Sequence, residues 1–389
     1  MCREHWRICD RMGQCDRNTS TLIFCAWNSM KGNVEIMAEN IRMDSHKLIY
    51  HPDVVARWLK GENIYPIELE IGLTNACNHR CIFCAVDYTG YQPDRIDSRI
   101  LINNLEILAK KGAKSIIYAG EGEPLLHTEA SDIINKTKSL GIDVAVSTNG
   151  VLLTPEVSRE CLKSLTWIRF SVAGITDKTY DKVQCGKPGD LAKVLFHLEE
   201  AVRVKRDNKL KTTLGVQLLL LPDNKEEVVQ MGKKLKEIGV DYFTIKPFSQ
   251  HPQSQHILQV DYREMLELEQ EIKGLETETY KIYFRAHSMQ KLEYKRCYRH
   301  CWALPFMVYI DAKGNLWPCI VFMGKDELKY GNLYEESFGE IWEGKHRKKI
   351  VDYFMNMDLD KNCRELCRLD EMNQYLNELM NPGDHINFI

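Results

Sequence analysis

Apolar and polar positions along the chain follow two alternating patterns from about residue 66 onward. Short runs of β-branched and other apolar residues predict six strands, at 67–74, 115–120, 143–150, 167–174, 212–221 and 241–248. Between them, apolar residues recur every three or four positions and predict amphipathic helices, at 98–112, 128–141, 154–165, 190–206 and 224–239. Repeated strand–helix pairs with short connections indicate parallel strands in one sheet. We therefore expect an α/β fold, a partial (β/α)6 TIM-like barrel.

The two ends of the chain do not follow this repeat. Residues 1–45 lack hydrophobic periodicity, and we expect a disordered extension or a segment upstream of the natural start, for which Met30, Met37 and Met43 are candidates. Helical periodicity begins at residue 46, so the barrel domain is predicted to span 46–255. The remainder, 256–389, is predicted to hold a linker and a small extension made of a β-hairpin and helices.

Composition restricts the possible functions. The net charge is −3, with 52 Lys and Arg against 55 Asp and Glu, which gives no electrostatic footprint for nucleic acid or an anionic membrane. No run of about 18 or more apolar residues occurs, so no membrane span is predicted. The charged N-terminal stretch does not resemble a signal peptide. Without such a signal, the 14 cysteines favour metal or redox chemistry in a reducing compartment, which predicts a cytoplasmic location.

Polar residues that could bind a cofactor or take part in catalysis lie at the ends of the predicted strands. Cys77, Cys81 and Cys84 follow the first strand with the spacing C-x3-C-x2-C. The sequence GEGEP (120–124) follows the second strand, and STNG (147–150) ends the third. The next three strands carry one polar residue each: Ser171, Gln217 and Lys246. Because the carboxyl ends of parallel barrel strands meet at one mouth, we expect these residues to form an active site.

The cysteine cluster resembles the signature of the radical S-adenosylmethionine (SAM) superfamily, with Phe83 as the aromatic residue before the last cysteine. The resemblance covers about residues 66–250. It implies a 4Fe–4S cluster on Cys77, Cys81 and Cys84, whose fourth iron is open to the amino and carboxylate groups of SAM. In that family SAM cleavage releases a 5′-deoxyadenosyl radical, which abstracts hydrogen from substrate. A zinc knuckle or buried thiols are the alternatives.

The same resemblance implies the residues that bind SAM. The family's second strand ends in a Gly-Gly-Glu-Pro-like turn, which here reads Gly120, Glu121, Gly122, Glu123 and Pro124. Glu123 is the expected partner of the methionine ammonium group. Glu121 stands in place of a glycine and is expected either in the cofactor set or facing substrate. STNG is similar to the ribose-contacting strand, so the other expected contacts are Ser147, Thr148, Asn149, Ser171 and Gln217.

The C-terminal extension resembles the SPASM domain of radical enzymes, and more closely its shortened twitch form. The resemblance rests on two predicted strands around AKGN (312–315) and on the motif CRELC (363–367). Cys297 is an alternative first ligand, but Cys301 lies at the better distance from Gly314. Zinc is the rival metal. The implied ligands of one auxiliary 4Fe–4S cluster are Cys301, Cys319, Cys363 and Cys367.

Four thiolates leave no iron of the auxiliary cluster open to substrate, which favours a role in electron transfer. The leading hypothesis is therefore dehydrogenation of a small polar metabolite: a sugar, an aminocyclitol or a nucleotide sugar. Aminocyclitol dehydrogenases of antibiotic biosynthesis have a similar partial barrel and twitch domain. A base would remove the heteroatom proton, and the candidates are Arg169, Lys246, His251 and His256. The expected external reductant is a protein such as flavodoxin or ferredoxin.

Two other reactions remain open. A redox-neutral epimerase or lyase acting on a sugar would use a thiol to return hydrogen, and Cys185 in the loop after the fourth strand is the candidate. A peptide-modifying maturase is the second possibility, although such enzymes carry full SPASM domains and often an N-terminal peptide-binding winged-helix module, which the segment before residue 46 does not resemble. Neither nucleic acid nor a membrane is an expected partner.

Overall fold

The structure, a computed structural model, describes residues 45–388. The predicted N-terminal extension, residues 1–45, lies outside the described residues except for Ser45. Within the described chain, folded structure begins with a short 3-10 turn at Leu48–Tyr50. This agrees with the helical periodicity that the sequence shows from residue 46.

Strands and helices alternate through the first two thirds of the described chain. The strands are β1 Glu68–Ile71, β2 Ser115–Tyr118, β3 Asp143–Thr148, β4 Trp167–Ser171, β5 Thr213–Leu220, β6 Tyr242–Pro247, β7 Lys281–Phe284, β8 Met307–Ile310, β9 Asn315–Trp317 and β10 Gly331–Asn332. The helices are α1 Pro52–Leu59, α2 Ser98–Lys111, α3 Ala130–Ser139, α4 Pro155–Cys161, α5 Asp177–Gln184, α6 Asp190–Asp207, α7 Val228–Ile238, α8 Leu268–Lys273, α9 Ala286–Gln290, α10 Phe338–Glu343, α11 Lys345–Asn356, α12 Leu359–Asn362 and α13 Asp370–Met380.

The ten strands of the described chain form one sheet, in the order β10-β9-β8-β1-β2-β3-β4-β5-β6-β7. Strands β1 to β7 pair in parallel with their neighbours, and β8 is also parallel to β1. Strand β9 runs in the opposite direction, so its pairings with β8 and with β10 are antiparallel. The predicted α/β fold with a partial TIM-like barrel and a C-terminal hairpin is confirmed.

The sheet is longer than the sequence pattern indicated. The segment assigned to a linker contains β7, which pairs with β6. Strand β8 begins the C-terminal hairpin, yet it lies beside β1, so the hairpin continues the barrel sheet. Local periodicity cannot reveal this pairing because parallel partners far apart in sequence share no turn signal. Helices α5 and α11 were also missed.

The two faces of the sheet differ sharply in chemistry. Successive strand residues point to opposite faces. Outward-facing residues are apolar and fully buried, among them Leu69, Ile71, Ile168, Phe170, Phe243 and Ile245. Inward-facing residues are largely polar, and by strand register they include Glu70, Arg169, Gln217, Thr244 and Lys246. The outer face therefore supplies the hydrophobic core, and the inner face is free to carry a site. None of the helices in residues 45–388 is long and apolar enough to cross a membrane.

Candidate active site

The three clustered cysteines lie on the loop that follows β1. The loop is tied to the end of α5 because Arg80 N donates to Gln184 O at 3.3 Å and Ile82 N donates to Val183 O at 3.0 Å. Burial, followed by the charge of Glu123, raises the pKa of Cys77 to about 12. Burial also raises the pKa of Cys81 and of Cys84. Such thiols are protonated on their own and release protons when a metal binds.

The surroundings of this loop fit an iron–sulfur cluster. Its three thiols interact electrostatically with one another, and burial limits their contact with water. Arg80 donates to Cys77 O at 2.7 Å and stacks over the Tyr91 ring at 4.0 Å. The Tyr91 hydroxyl lies close enough to Cys84 to oppose the rise in the pKa of that thiol. Three close thiols with a cation and a hydroxyl beside them are a suitable donor set for a cluster bearing negative charge.

Glu123 lies in the interior beside the cysteine loop. Its carboxylate accepts from Thr148 Oγ1 at 2.6 Å, from Asn149 N at 2.7 Å and from Leu125 N at 3.2 Å. Burial raises the pKa of Glu123, and these hydrogen bonds oppose that shift. A carboxylate can accept about four hydrogen bonds. Glu123 therefore keeps capacity for one further donor, in agreement with its predicted role as partner of an ammonium group.

Glu121, the residue that departs from the family pattern, is engaged within the protein. Its carboxylate accepts from Asn75 Nδ2 at 2.7 Å and from Ala312 N at 2.5 Å, while its backbone N–H donates to Tyr309 Oη at 3.1 Å. Burial, and then the charge of Asp311, raises the pKa of Glu121 to about 7. Glu121 thus joins the cysteine loop to the C-terminal hairpin. These contacts do not support the predicted membership of Glu121 in the cofactor set.

The glycines on either side of Glu121 let the chain approach its neighbours closely. Gly120 and Gly122 have φ values of 98° and 63°, which side chains rarely adopt. A Cβ atom on Gly122 would lie 2.0 Å from Thr74 O, and one on Gly120 would lie 2.5 Å from the Tyr309 ring. Both glycines therefore serve the geometry of the turn, so their predicted part in cofactor binding is through the backbone.

The predicted ribose strand is partly committed to this same network. Thr148 is buried, and its hydroxyl donates to Glu123. Asn149 Nδ2 donates to Asn78 Oδ1 at 2.6 Å, which links the strand end to the cysteine loop. Ser147 is half-buried and pairs in register with Arg169, which places it on the inner face. Ser171 and Gln217 are register partners on that face as well.

Of two other predicted site residues, Phe83 lies within the cysteine loop and Cys185 lies beside it, at the end of α5. Phe83 is partly buried and packs with an apolar group that includes Ala173, Val183 and Phe248. Cys185 ends α5 in a left-handed conformation with φ of 48°, and its exposed thiol donates to Lys182 O at 3.5 Å. The structure does not bring Cys185 onto the inner face of the sheet. Its role as a hydrogen donor stays a prediction that this placement does not support.

The four predicted base candidates occupy different environments. His251 is buried and stacks on Tyr88 with ring centroids 5.2 Å apart. Burial, together with the charge of Arg364, lowers the pKa of His251 to about 4, so the ring is neutral at pH 7. His256 is exposed, 3.8 Å from Asp87. The remaining two candidates, Arg169 and Lys246, lie on the inner face of β4 and β6.

Arg169 and Lys246 are accompanied by arginines that sequence reasoning did not select. The charges that act on Lys246 come from Arg169, Arg364, Arg285 and Arg368. Burial first, and these cations second, lower the pKa of Lys246 to about 7. The sequence signal for these arginines is limited to Arg364 and Arg368, which lie in CRELCR (363–368) next to the auxiliary cysteines. We call Lys246 and these four arginines (Arg169, Arg285, Arg364 and Arg368) the interior cationic group.

The C-terminal thiols gather as predicted for an auxiliary cluster. The pKa of Cys301 is raised by burial and then by the proximity of Cys367, Cys319 and Cys363. For the same kinds of reason the pKa of Cys319 rises to about 11 and that of Cys363 to about 12. Cys297 is exposed, and it is not among the main groups that raise the pKa of Cys301, Cys319 or Cys363. The arrangement agrees with Cys301, rather than Cys297, as the predicted ligand.

Within residues 45–388, no three His, Cys, Asp or Glu side chains converge as a site for a single metal ion. The absence of such a group applies to sites for a single metal ion. A 4Fe–4S cluster is wider than one ion, and its thiolate ligands are correspondingly farther apart. The two cysteine sets, by their chemistry and burial, fit cluster ligation.

Comparison with known proteins agrees with this geometry. Residues 71–235 match the sequence profile of the Radical SAM superfamily, and residues 301–369 match that of SPASM, an iron–sulfur cluster-binding domain. The AdoMet-dependent heme synthase of Methanosarcina barkeri (strain Fusaro / DSM 804) is 27% identical over 293 residues, covering 70% of this chain and 80% of that protein. The antilisterial bacteriocin subtilosin biosynthesis protein AlbA of Bacillus subtilis (strain 168) is 22% identical, covering 72% of this chain and 61% of AlbA.

Among solved structures, Streptococcus suis SuiB bound to precursor peptide SuiA aligns with a TM-score of 0.63 and 16% identity. The alignment covers 94% of this chain and 85% of the SuiB chain. At this identity the likeness establishes a shared fold. The barrel sheet and the C-terminal extension therefore belong to one fold that is also found in a solved structure.

Proposed function

Because the chain belongs to the radical SAM superfamily and carries a SPASM iron–sulfur domain, we propose that it catalyses an oxidative modification that begins with hydrogen abstraction from substrate. Its cofactors are a 4Fe–4S cluster with SAM and auxiliary iron–sulfur chemistry in the C-terminal domain. When bound, these groups supply the 5′-deoxyadenosyl radical and an acceptor for one electron. The chain's own contribution is to bind, orient and shield the reacting groups.

The observation that carries the oxidative assignment is the gathering of four thiols in the extension. Cys301, Cys319, Cys363 and Cys367 satisfy the usual four-thiolate requirement of a 4Fe–4S cluster. A cluster with every iron ligated by protein is suited to electron transfer rather than to binding substrate. Arg296 and Arg364 lie close enough to lower the pKa of Cys363, so the chain also supplies cations beside this site.

The chain also positions Glu123 to bind the amino acid part of SAM. Glu123 is held by Thr148 and Asn149, which fixes its orientation before any ligand arrives. It lies close enough to Cys77 for its charge to raise the pKa of that thiol. An ammonium group placed there would offset the burial of the carboxylate, which is the physical reason for assigning Glu123 this role.

As the substrate class we propose a peptide. AlbA is named for the biosynthesis of a bacteriocin, and SuiB is bound to a precursor peptide in the aligned structure. These two proteins support the peptide assignment better than the small metabolite expected from the sequence. A small anionic metabolite is the second candidate, favoured by the interior cationic group and by the similarity to a protein named for heme synthesis.

The proposal is tested with anaerobically reconstituted protein, SAM and dithionite, the last in place of a flavodoxin or ferredoxin. Deuterated peptides, nucleotide sugars and aminocyclitols are screened for deuterium transfer into 5′-deoxyadenosine. We expect a product two hydrogens lighter than its substrate, with one 5′-deoxyadenosine formed per product. The Cys319→Ala variant should cleave SAM without forming this product, because the Cys77 loop is unchanged while the auxiliary site loses a ligand.

Cys185→Ala is the matched control, since oxidation needs no thiol hydrogen donor. A product of unchanged composition that gains one deuterium from heavy water, and that disappears in Cys185→Ala, would contradict oxidation and support epimerisation. Absence of SAM cleavage in the fully reconstituted protein would contradict the radical assignment itself.

A further inference from the structure

The inner face of the sheet carries two cations without an acidic partner. Arg169 on β4 and Lys246 on β6 both have inward-facing positions in the strand register. Neither side chain forms an ion pair within the described residues, although Glu70 is near enough to influence the pKa of Arg169. The Nε atom of Arg169 is buried and has no hydrogen-bond partner. Both residues are half-buried, and a cation partly removed from water without a partner carries a desolvation cost, so this arrangement requires an explanation.

The nearby carboxylates do not supply one. Arg368 bonds to both Glu68 and Glu70, which are the two acids of β1 on this face. Both carboxylates are thereby engaged by one arginine. Glu68 and Glu70 are therefore already engaged and do not serve as partners of Arg169 and Lys246.

The auxiliary thiolates do not supply the counter-charge for these two residues either. The arginines that act on the pKa of Cys319 are Arg364 and Arg368, and those that act on Cys363 are Arg296 and Arg364. Arg169 and Lys246 are not among the main charges that shift the pKa of Cys301, Cys319 or Cys363. Arg364 and Arg368 are thus accounted for by the cluster site and the β1 acids, whereas Arg169 and Lys246 are not.

The environment of Arg169 is also organised for recognition. Its guanidinium lies 5.2 Å from the centroid of the Trp167 ring on the same strand, a contact that orients the group. A guanidinium presents two parallel N–H donors to a carboxylate or a phosphate, and a lysine adds a compact charge. Lys246 is half-buried, and its Nζ makes no ion pair or hydrogen bond seen among residues 45–388, so it is available to a ligand.

We propose that Arg169 and Lys246 bind an anionic group of the substrate inside the barrel, a carboxylate or a phosphate. The proposal rests on the proposed function for the assignment of this interior as the substrate site. The bound anion would set which part of the substrate points toward the Cys77 loop, since both residues lie on strands that end at that mouth. A carboxylate fits an acidic peptide side chain or terminus, and a phosphate fits a nucleotide-linked metabolite.

The test measures anion binding to the cluster-loaded protein without SAM. Calorimetric titrations use glutarate as the carboxylate probe and inorganic pyrophosphate as the phosphate probe. Wild-type protein should bind at least one of them, and Arg169→Gln and Lys246→Gln should each weaken binding by about tenfold or more. Arg169→Lys should fall between wild type and Arg169→Gln, because it keeps the charge and loses the paired donors. Preference for glutarate supports a carboxylate on the substrate, and preference for pyrophosphate supports a phosphate.

Arg159→Gln is the matched control, since Arg159 is exposed on α4 and its ion pair in the described part of the chain is with Glu156. It should bind both probes as wild type does. A wild-type protein that binds neither probe, or Gln variants with wild-type affinity, would overturn the proposal.

A second measurement needs no variant and remains decisive if the Gln variants fail to fold. Saturating probe should slow acetylation of Lys246 in wild-type protein, followed by mass spectrometry of the modified peptides. Unchanged acetylation of Lys246 at saturating concentrations of both probes would also overturn the proposal. SAM cleavage is assayed separately, so loss of radical chemistry and loss of anion binding are distinguishable results.

Discussion

Lys246 occupies a position where its protonation state is set by neighbours from several elements. Arg169 of β4, Arg285 after β7, and Arg364 and Arg368 of the C-terminal segment all disfavour its charge, and burial does so most strongly. Glu70 of β1 also faces this group but bonds to Arg368. Because these effects lower the pKa to about 7, Lys246 is close to half-protonated at neutral pH.

The lowered pKa of Lys246 gives a pH prediction for the anion site. An anion binds the charged form of Lys246, so affinity should be highest below about pH 7 and should fall as pH rises through that pKa. Sulfate is the appropriate probe, because its charge is constant between about pH 6 and 9, and its dissociation constant is measured across that range. Lys246→Gln should bind more weakly and with little pH dependence. An equally steep pH profile in that variant would contradict the role of Lys246.

At the scale of single residues, Glu121 illustrates how one departure from a motif can have a structural cause. A glycine at this position would leave Asn75 Nδ2 without this acceptor, and Ala312 N likewise. The carboxylate instead connects the cysteine loop with the turn between β8 and β9. The flanking Gly120 and Gly122 keep the backbone close enough for that connection.

At the scale of elements, the C-terminal extension depends on cysteines from separate segments. Cys301 precedes β8, Cys319 follows β9, and the other two lie between α12 and α13. Asn373 of α13 donates to Cys301 Sγ at 3.8 Å, and Leu369 N donates to Cys367 Sγ at 3.3 Å. These segments are therefore expected to depend on the metal that joins them.

We accordingly predict the iron content of two alanine variants. The wild-type protein should hold about eight irons as two 4Fe–4S clusters. Cys367→Ala should hold about four, because the auxiliary site loses a ligand and the Cys77 loop does not. Cys297→Ala is the control and should keep about eight, since Cys297 is exposed outside the thiol group. Loss of iron in Cys297→Ala with full iron in Cys301→Ala would reverse the ligand assignment.

At the scale of the described molecule, one sheet runs through both the barrel and the extension. Strand β8 pairs with β1 over four residues, from Met307 with Glu68 to Ile310 with Ile71. The core on the outer face is likewise shared, because Leu69 and Ile71 belong to the same hydrophobic cluster as Val308 and Ile310. The extension is thus anchored by backbone hydrogen bonds as well as by its proposed cluster.

Removal of iron should therefore loosen only part of the extension. We predict that amide hydrogen exchange becomes faster at about residues 359–369, where Cys363 and Cys367 lie in short irregular structure. Strand β8 should keep its protection, because its hydrogen bonds to β1 require no metal. Exchange is compared by mass spectrometry before and after anaerobic chelation. Equal loss of protection in β8 and in residues 359–369 would contradict this picture.

The sequence by itself determined the parts of this protein that contiguous residues encode. The six βα units followed from apolar periodicity, and the predicted helix at the end of the chain coincides with α13. The cysteine spacing and the GEGEP motif led to the radical SAM and SPASM resemblance, which the family matches confirm. These features were predictable because periodicity and motif spacing are local properties of the chain.

Only the tertiary structure decided which distant residues share a surface. The pairing of β8 with β1, the proximity of Cys301 to the other three auxiliary cysteines and the contacts of Glu121 all join segments far apart in sequence. The interior cationic group has the same origin, since two of its members come from strands and three from segments after β7. Parallel strands and their side chains meet through long connections whose outcome depends on packing of the whole sheet. Charge balance inside the barrel is a property of that packing, so local sequence patterns contain no sign of it.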